Sequence, residues 1–156
     1  MSNTHTAYYG SEIGTIEIVG SRQGILSLNF VQEADALVTD SHPCLEPCLS
    51  QLDEYFHGRR KKFFLPLLTQ GTPFQKKVWK ALLAIPYGMH QSYGDIARKI
   101  GHKNAFRAVG NANHKNKIAI IIPCHRVIGS DGSLMGYASG IWRKKWLLEH
   151  EKNVWA

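Results

Sequence analysis

One stretch restricts this chain more than any other: Ile120-Ile121-Ile122-Pro123-Cys124-His125-Arg126-Val127-Ile128. Three β-branched residues in a row suit a pleated, covered surface, so Ile120 to Ile122 predict a buried strand. Pro123 has no N–H to give a ladder and marks the strand's end or edge. Cys124 then sits at the mouth of a core, on rigid backbone, beside a residue able to act as a base. A thiolate held there can be a nucleophile. A small buried thiol packed as a hydrophobe fits the same residues, as it does for most lone cysteines. The stretch alone leaves both readings open.

The rest of the chain narrows the setting. Its 156 residues, 44% of them hydrophobic, suffice for one ordinary domain or two small ones with a real core. No apolar run approaches the ~20 residues of a membrane helix, so no membrane partner is expected. Met1 to Thr6 lack the basic-then-apolar pattern of an export signal. Three cysteines do not form a disulfide framework, and a reducing cytoplasm is the expected location. The net charge of +7 favours phosphate-rich partners, although short clusters such as Arg59-Arg60-Lys61-Lys62 are usually solvated faces.

Taken in order, the chain predicts an α+β fold in two parts, residues 1–70 and 71–156. Tyr8 to Ser11, Gly14 to Val19 and Gly24 to Val31 are short segments between turn residues and read as a β-meander. Cys44 to His57 places Leu45, Leu49, Leu52 and Phe56 on one helical face, and Gly58 ends that helix. Cys44 and Cys48, with His42 and His57 near them, do not complete a recognisable zinc set and are read as helix-packing cysteines. No metal or cofactor is expected. Phe63 to Leu67 read as an edge strand.

The second part is mostly helical. Thr72-Pro73-Phe74-Gln75 supplies an N-cap, a proline at the first helical position and a capping-box partner. Ser92-Tyr93-Gly94-Asp95 opens a second helix, which Gly101 ends. Asn104 is placed to cap a third, over Ala105 to Ala112. Helix, Gly-containing turn, helix is the outline of a helix-turn-helix. Its second helix offers one Arg, Arg107, among small residues such as Ala108 and Gly110, which suits close approach to a sugar-phosphate surface better than base reading. A packed helix with one solvent-facing Arg accounts for it as well. Ser130-Asp131-Gly132-Ser133 signals a hairpin turn, and Ile141 to Glu151 a closing helix.

Pro123-Cys124-His125-Arg126-Val127 closely resembles the active-site signature of the O6-alkylguanine-DNA alkyltransferases. Thr72 to Gln75, Ile85 to Gly88, Ser92 to Ala97, Arg107 to Gly110, Asn116, Gly136 to Ala138 and Trp146 to Glu151 match the family pattern in order. The resemblance spans residues 72 to 151. It implies a DNA repair protein that flips O6-alkylguanine, with O4-alkylthymine as a second substrate to consider, out of duplex DNA. The alkyl group then passes irreversibly to Cys124, once per molecule. By the same resemblance His125 activates Cys124 through a water, Glu151 orients His125, and Tyr93 donates to the departing base. Arg107 fills the gap left by the flipped nucleotide, and Ala108 and Gly110 let the helix-turn-helix approach the minor groove. Asn116 braces the turn before the cysteine. Val127, Tyr137, Ala138 and Ser139 line the substrate pocket. The partner is double-stranded DNA bearing alkylated guanine, and a monomer is expected.

Three departures from the family pattern bear on the pocket. Lys117 and Ala119 stand where many members carry prolines, Ser139 replaces a Gly, and Phe106 is larger than the usual residue before the arginine finger. They bear on the range of bulky adducts and leave methyl transfer untouched. The alternative is a non-enzymatic damage sensor or DNA-binding regulator. Relatives of the sensor kind replace the cysteine, which this chain keeps.

Overall fold

The computed structural model describes residues 3–32 and 42–153, and the chain divides into two compact units, Met1–Thr69 and Gln70–Ala156. In the first unit β1 (His5–Ser11), β2 (Gly14–Ser21) and β3 (Gly24–Val31) form an antiparallel meander in the order β1-β2-β3. The alternation of Ile16 and Ile18 in β2 turns both side chains into the core with Ala7 and Leu28. A short 3-10 turn at Pro43–Leu45 leads into α1 (Glu46–Phe56), which buries Cys48, Leu52, Tyr55 and Phe56. The expected helix therefore starts later than Cys44, because two prolines, Pro43 and Pro47, cannot donate in its first turns. Gly58 takes φ 72 just beyond the helix, the left-handed conformation that glycine adopts most easily.

Phe63 to Leu67 do not form the expected edge strand. Pro66 interrupts the run, and only a bridge between Ile25 and Leu67 remains, with Ile25 N donating to Pro66 O (2.9 Å) and Leu68 N to Ile25 O (2.8 Å). Gly24 permits this approach. A Cβ there would lie 2.6 Å from the Pro66 carbonyl oxygen.

In the second unit α2 (Pro73–Leu83) opens on the complete Thr72–Gln75 capping box, and α3 (Tyr93–Lys99) on the Ser92–Asp95 box. Each box satisfies orphan N–H groups from within its own first turn, which is why these starts are legible in sequence. α4 (Phe106–His114) differs. Ala105, not Asn104, is its N-cap, and no side chain caps it. α5 (Ile141–Asn153) closes the described chain. No helix among the described residues is long and apolar enough to cross a membrane.

Ile120 to Ile122 are buried as expected but form a turn, not a strand. Ile120 sits at φ 70, where a β-branched side chain is crowded and roughly 1–3 kcal/mol of strain is stored. Ile121 N donates to Ala119 O at 2.7 Å across that residue. Pro123 (φ −80, ψ 65) is the centre of a second tight turn, an inverse γ-turn in which Cys124 N donates to Ile122 O at 2.7 Å. Cys124–Arg126 then make one turn of 3-10 helix before β5 (Val127–Ile128). The parallel pairing that β-branched residues promise is found beyond the cysteine turn, at Val127–Ile128: β5 pairs with β4 (Gln91–Ser92). The turn expected at Ser130 to Ser133 forms, with Gly129 N donating to Ser133 O at 2.8 Å, but no second strand follows it.

Candidate active site

Three local structures converge on Cys124. The β4–β5 pairing sets Ser92 beside Ile128 and so ties the first residue of α3, Tyr93, to the strand that leaves the cysteine turn. Asn116 fastens the turn that enters it. Its Nδ2 donates to Ile122 O (2.9 Å) and Ile118 O (3.3 Å), and its Oδ1 accepts from Ile118 N (3.0 Å). α5 brings Glu151 to the turn itself.

Cys124 is 6% exposed and His125 is fully buried. His125 Nε2 lies 2.7 Å from Glu151 Oε2. Since a carboxylate can only accept, Nε2 carries the proton, and in the neutral ring Nδ1 is left with a free lone pair. Nδ1 is buried without a protein partner. Burial holds the His125 pKa below its ordinary value, against the opposing pull of Glu151. Burial would raise the Glu151 carboxyl, yet His125 and Arg126 hold it well below the usual carboxylate range. Arg126 grips both carboxylate oxygens, Nε to Oε1 at 2.8 Å and Nη2 to Oε2 at 3.0 Å, while its Nη1 donates to Ile85 O at 2.7 Å. Glu151 is thus shared between Arg126 and His125, and burial, with a smaller push from Arg126, favours the uncharged ring that can accept a proton.

Burial pushes the Cys124 thiol up, countered by hydrogen bonding from Asn116, by the charge of Lys144 and by nearby backbone N–H groups. Burial also raises the phenols of Tyr93 and Tyr137, with Cys124 adding to both, so each stays protonated and can donate. Tyr93 Oη donates to Met135 O at 3.1 Å, and the Tyr137 hydroxyl is buried without a protein partner. The arrangement combines a soft nucleophile, a neutral base with a free lone pair and two phenol donors. That set can move a group from an oxygen leaving atom to sulfur.

The other expected site residues are distributed around this cluster. Val127 is buried in β5, while Ala138 is exposed and Ser139 half-buried in the loop before α5. Ser139 O accepts from Arg143 Nη1 at 2.9 Å, a backbone contact that its side chain does not enter. Arg107 and Ala108 are exposed on α4, and Gly110 faces Tyr93, where a Cβ would sit 3.9 Å from the ring. None of these three bonds to the Cys124 cluster among the contacts described. The wall that Lys117 and Ala119 leave without prolines is held by the Asn116 bonds, and Ala119 is buried within it.

Three residues were missed. Asn113, buried in α4, donates to Cys124 O at 3.3 Å. Arg126 was visible only as a letter of the signature. Lys144 is fully buried in α5, and its spacing to Leu147 and Glu151 (three, then four) was a readable sign that it shares their face.

Elsewhere, ligand atoms of His5, His42 and Cys44 lie within 4.8 Å of one another. The two imidazoles are stacked, 3.7 Å apart and 13° from parallel, so their in-plane lone pairs run side by side and do not converge on one ion. His42 Nδ1 is also occupied by Cys44 N at 3.1 Å. Cys48 belongs to the core, where burial pushes its thiol up to about 12.

Comparison with known proteins accounts for both units. Residues 73–153 match the 6-O-methylguanine DNA methyltransferase DNA binding domain, and residues 4–69 match the ribonuclease-like domain of the same proteins. The chain belongs to the 6-O-methylguanine DNA methyltransferase family. It is 48% identical over 148 residues to the methylated-DNA–protein-cysteine methyltransferase of Methanosarcina barkeri, covering 92% of this chain and 94% of that one. To the protein of the same name from Mycobacterium tuberculosis it is 44% identical over 153 residues, 96% of this chain and 93% of the other. A crystal structure of Mycobacterium tuberculosis OGT in complex with DNA superposes with a TM-score of 0.88 at 45% identity, covering 96% of this chain and 94% of that one.

Proposed function

We propose that this protein repairs alkylated DNA by taking the alkyl group onto Cys124. The carrying observation is the fully buried His125–Glu151 pair, whose proton on Nε2 leaves Nδ1 as a base in the same short turn as the thiol. A thiol raised by burial is mostly protonated at neutral pH and needs that base. The thiol proton passes through a water to His125 Nδ1, and Glu151 with Arg126 holds the ring as it becomes charged. The sulfur then bonds the alkyl carbon while the carbon–O6 bond breaks, its electron pair leaving with the guanine. Tyr93 gives the departing base its proton, turning from Met135 O to do so. A thioether has no leaving path back, so each molecule reacts once.

The duplex is held in the minor groove by the exposed face of α4. Arg107 fills the space of the extruded nucleotide, and Ala108 and Gly110 let the backbone approach. Extrusion costs a few kcal/mol, less for a damaged pair, and the finger offsets part of that. Val127, Tyr137, Ala138 and Ser139 wall the alkyl pocket, with O4-alkylthymine as a second substrate. A monomer in a reducing cytoplasm completes the reading, consistent with three free thiols. Incubation with a limiting, then an excess, amount of duplex containing O6-methylguanine tests it. Transfer should stop at one methyl per molecule; continued turnover sinks the proposal.

A further inference from the structure

Phe106 is the largest apolar side chain of α4, and the helix does not bury it. Val109 and Ala112 turn into the core, 0% and 2% exposed, while Phe106 stays 53% exposed beside Arg107. A single exposed apolar residue is ordinary on a protein surface, but the place of this one is not. It is the first residue of α4, and its N-cap Ala105 puts no side chain over it. In a helix the Cα–Cβ bonds lean toward the N-terminus, so those of Phe106 and Arg107 both lead out past the end of α4. Phe106 also lies one turn before Gly110, and residues four apart share a face. Gly110 faces Tyr93, where a Cβ would sit 3.9 Å from the ring. Phe106 therefore occupies the flank of Arg107 that turns toward Tyr93, and Ala108 the flank that turns away. With Ala108 and Gly110 as neighbours, α4 has no side chain of its own large enough to cover the ring.

We propose that Phe106 is an apolar wedge that works with Arg107: the guanidinium fills the slot of the extruded nucleotide, and the Phe106 ring stacks on the neighbouring base on the Tyr93 side. The inference rests on the reading of this protein as one that flips an alkylated nucleotide out of duplex DNA, and it gives that extrusion a second residue. The two side chains divide the task by chemistry. A guanidinium offers hydrogen bonds and charge to the vacated position, but the base next to it still loses a stacking partner. A phenyl ring replaces that partner without needing any particular base, because every base has a π-face. Phe, Leu, Ile and Met are the side chains that other minor-groove proteins insert between base steps. Small residues behind the ring let the helix backbone come close to the groove, and that closeness brings the ring to the depth of the stack. The same closeness would leave an exposed phenyl ring in water if no base covered it.

Transfer kinetics in the full-length protein read the wedge first. Phe106→Ala should slow transfer from duplex O6-methylguanine about fivefold, the low end of what one base–aromatic stack contributes. Reaction with free O6-methylguanine base, which needs no extrusion, should be unchanged, and Phe106→Trp should restore the duplex rate. An unslowed duplex reaction overturns the proposal. An equal loss on the free base makes Phe106 a support of α4 only and overturns it too. A second measurement locates the ring. 2-Aminopurine, whose fluorescence responds to stacking, is placed on either side of O6-methylguanine in a duplex bound by Cys124→Ser protein, so that no transfer intervenes. Adding Phe106→Ala should alter the signal at one flank and leave the other as it was. A change at both flanks, or at neither, overturns the wedge. If one flank depends on Phe106 but the protein with Cys124 takes no methyl from the duplex, the repair reading fails and the wedge stands.

Discussion

Around Cys124 the side chains are buried and bonded to one another, whereas on α4 Arg107 and Ala108 stand in solvent at the start of a helix that no side chain caps. The first region gathers His125, Arg126, Lys144 and Glu151, four ionisable residues that are rarely found so deep, and gives Glu151 several donors. The second offers a single Arg, small residues and Phe106, which is 53% exposed. Chemistry on this thiol needs bulk water kept out, apart from the single water of the proton relay, so that each charge acts in a low dielectric. Binding a duplex needs the reverse: open backbone N–H groups and a cation free to move into a stack. The unused N-cap of α4 fits that second demand. On the proposed reading one small unit meets both, since α4 turns its buried face, Val109, Ala112 and Asn113, toward the cysteine turn through the Asn113–Cys124 bond.

If the two regions do divide chemistry from binding, substitutions should separate them. The largest effect is expected from Cys124→Ser. Transfer should be abolished while affinity for O6-methylguanine duplex, read by fluorescence anisotropy, is kept; loss of binding in a folded variant would break the division. Glu151→Gln comes next. It leaves Arg126 buried without its counter-charge, at a cost of roughly 3–5 kcal/mol, and slows transfer by loosening His125. Its pH signature follows from the direction of the shift. Glu151 has a carboxyl held below its unfolded value, so its contribution is complete above about pH 4–5 and is lost as the pH falls toward the folded pKa. Chemical denaturation between pH 7 and pH 3 should show a shallower acid loss in Glu151→Gln than in the unsubstituted protein. A parallel pair of curves would remove Glu151 from the account of acid stability.

Arg107→Ala should have the smallest effect on the protein itself, with Tm unchanged within error. Transfer from duplex DNA should fall roughly tenfold, about 1.4 kcal/mol, while reaction with a free O6-alkylguanine base is unaffected. Equal losses on both substrates would remove the finger role and place Arg107 with the chemistry.

The same two regions differ in how far the sequence disclosed them. Local signals read well. The capping boxes at Thr72 and Ser92, the alternating Ile16 and Ile18, and the glycine stop at Gly58 act within a few residues, and the structure places them as expected. What failed were the places where packing overrides propensity. Ile120 to Ile122 have strand-forming side chains, but their backbone groups are spent on tight turns and on Asn116, and Ile120 accepts a left-handed φ. Asn104 has a capping side chain, yet the helix starts two residues later. Family resemblance supplied Glu151 as a partner of His125. It gave no role to Arg126 or Lys144, because the part each plays depends on which buried neighbours are already paired, and that is a property of three dimensions.

The comparison also bears on the three cysteines. Cys48 is locked in the first unit's core, Cys44 is half-buried beside His5 and His42, and Cys124 shares a buried turn with His125, which Glu151 of α5 holds. Peptide mass mapping after one round of reaction with O6-methylguanine duplex tests the central claim most directly. The account predicts a single methyl on the peptide that carries Cys124, with Cys44 and Cys48 unmodified. A methyl on Cys44, or shared among the three, would contradict it.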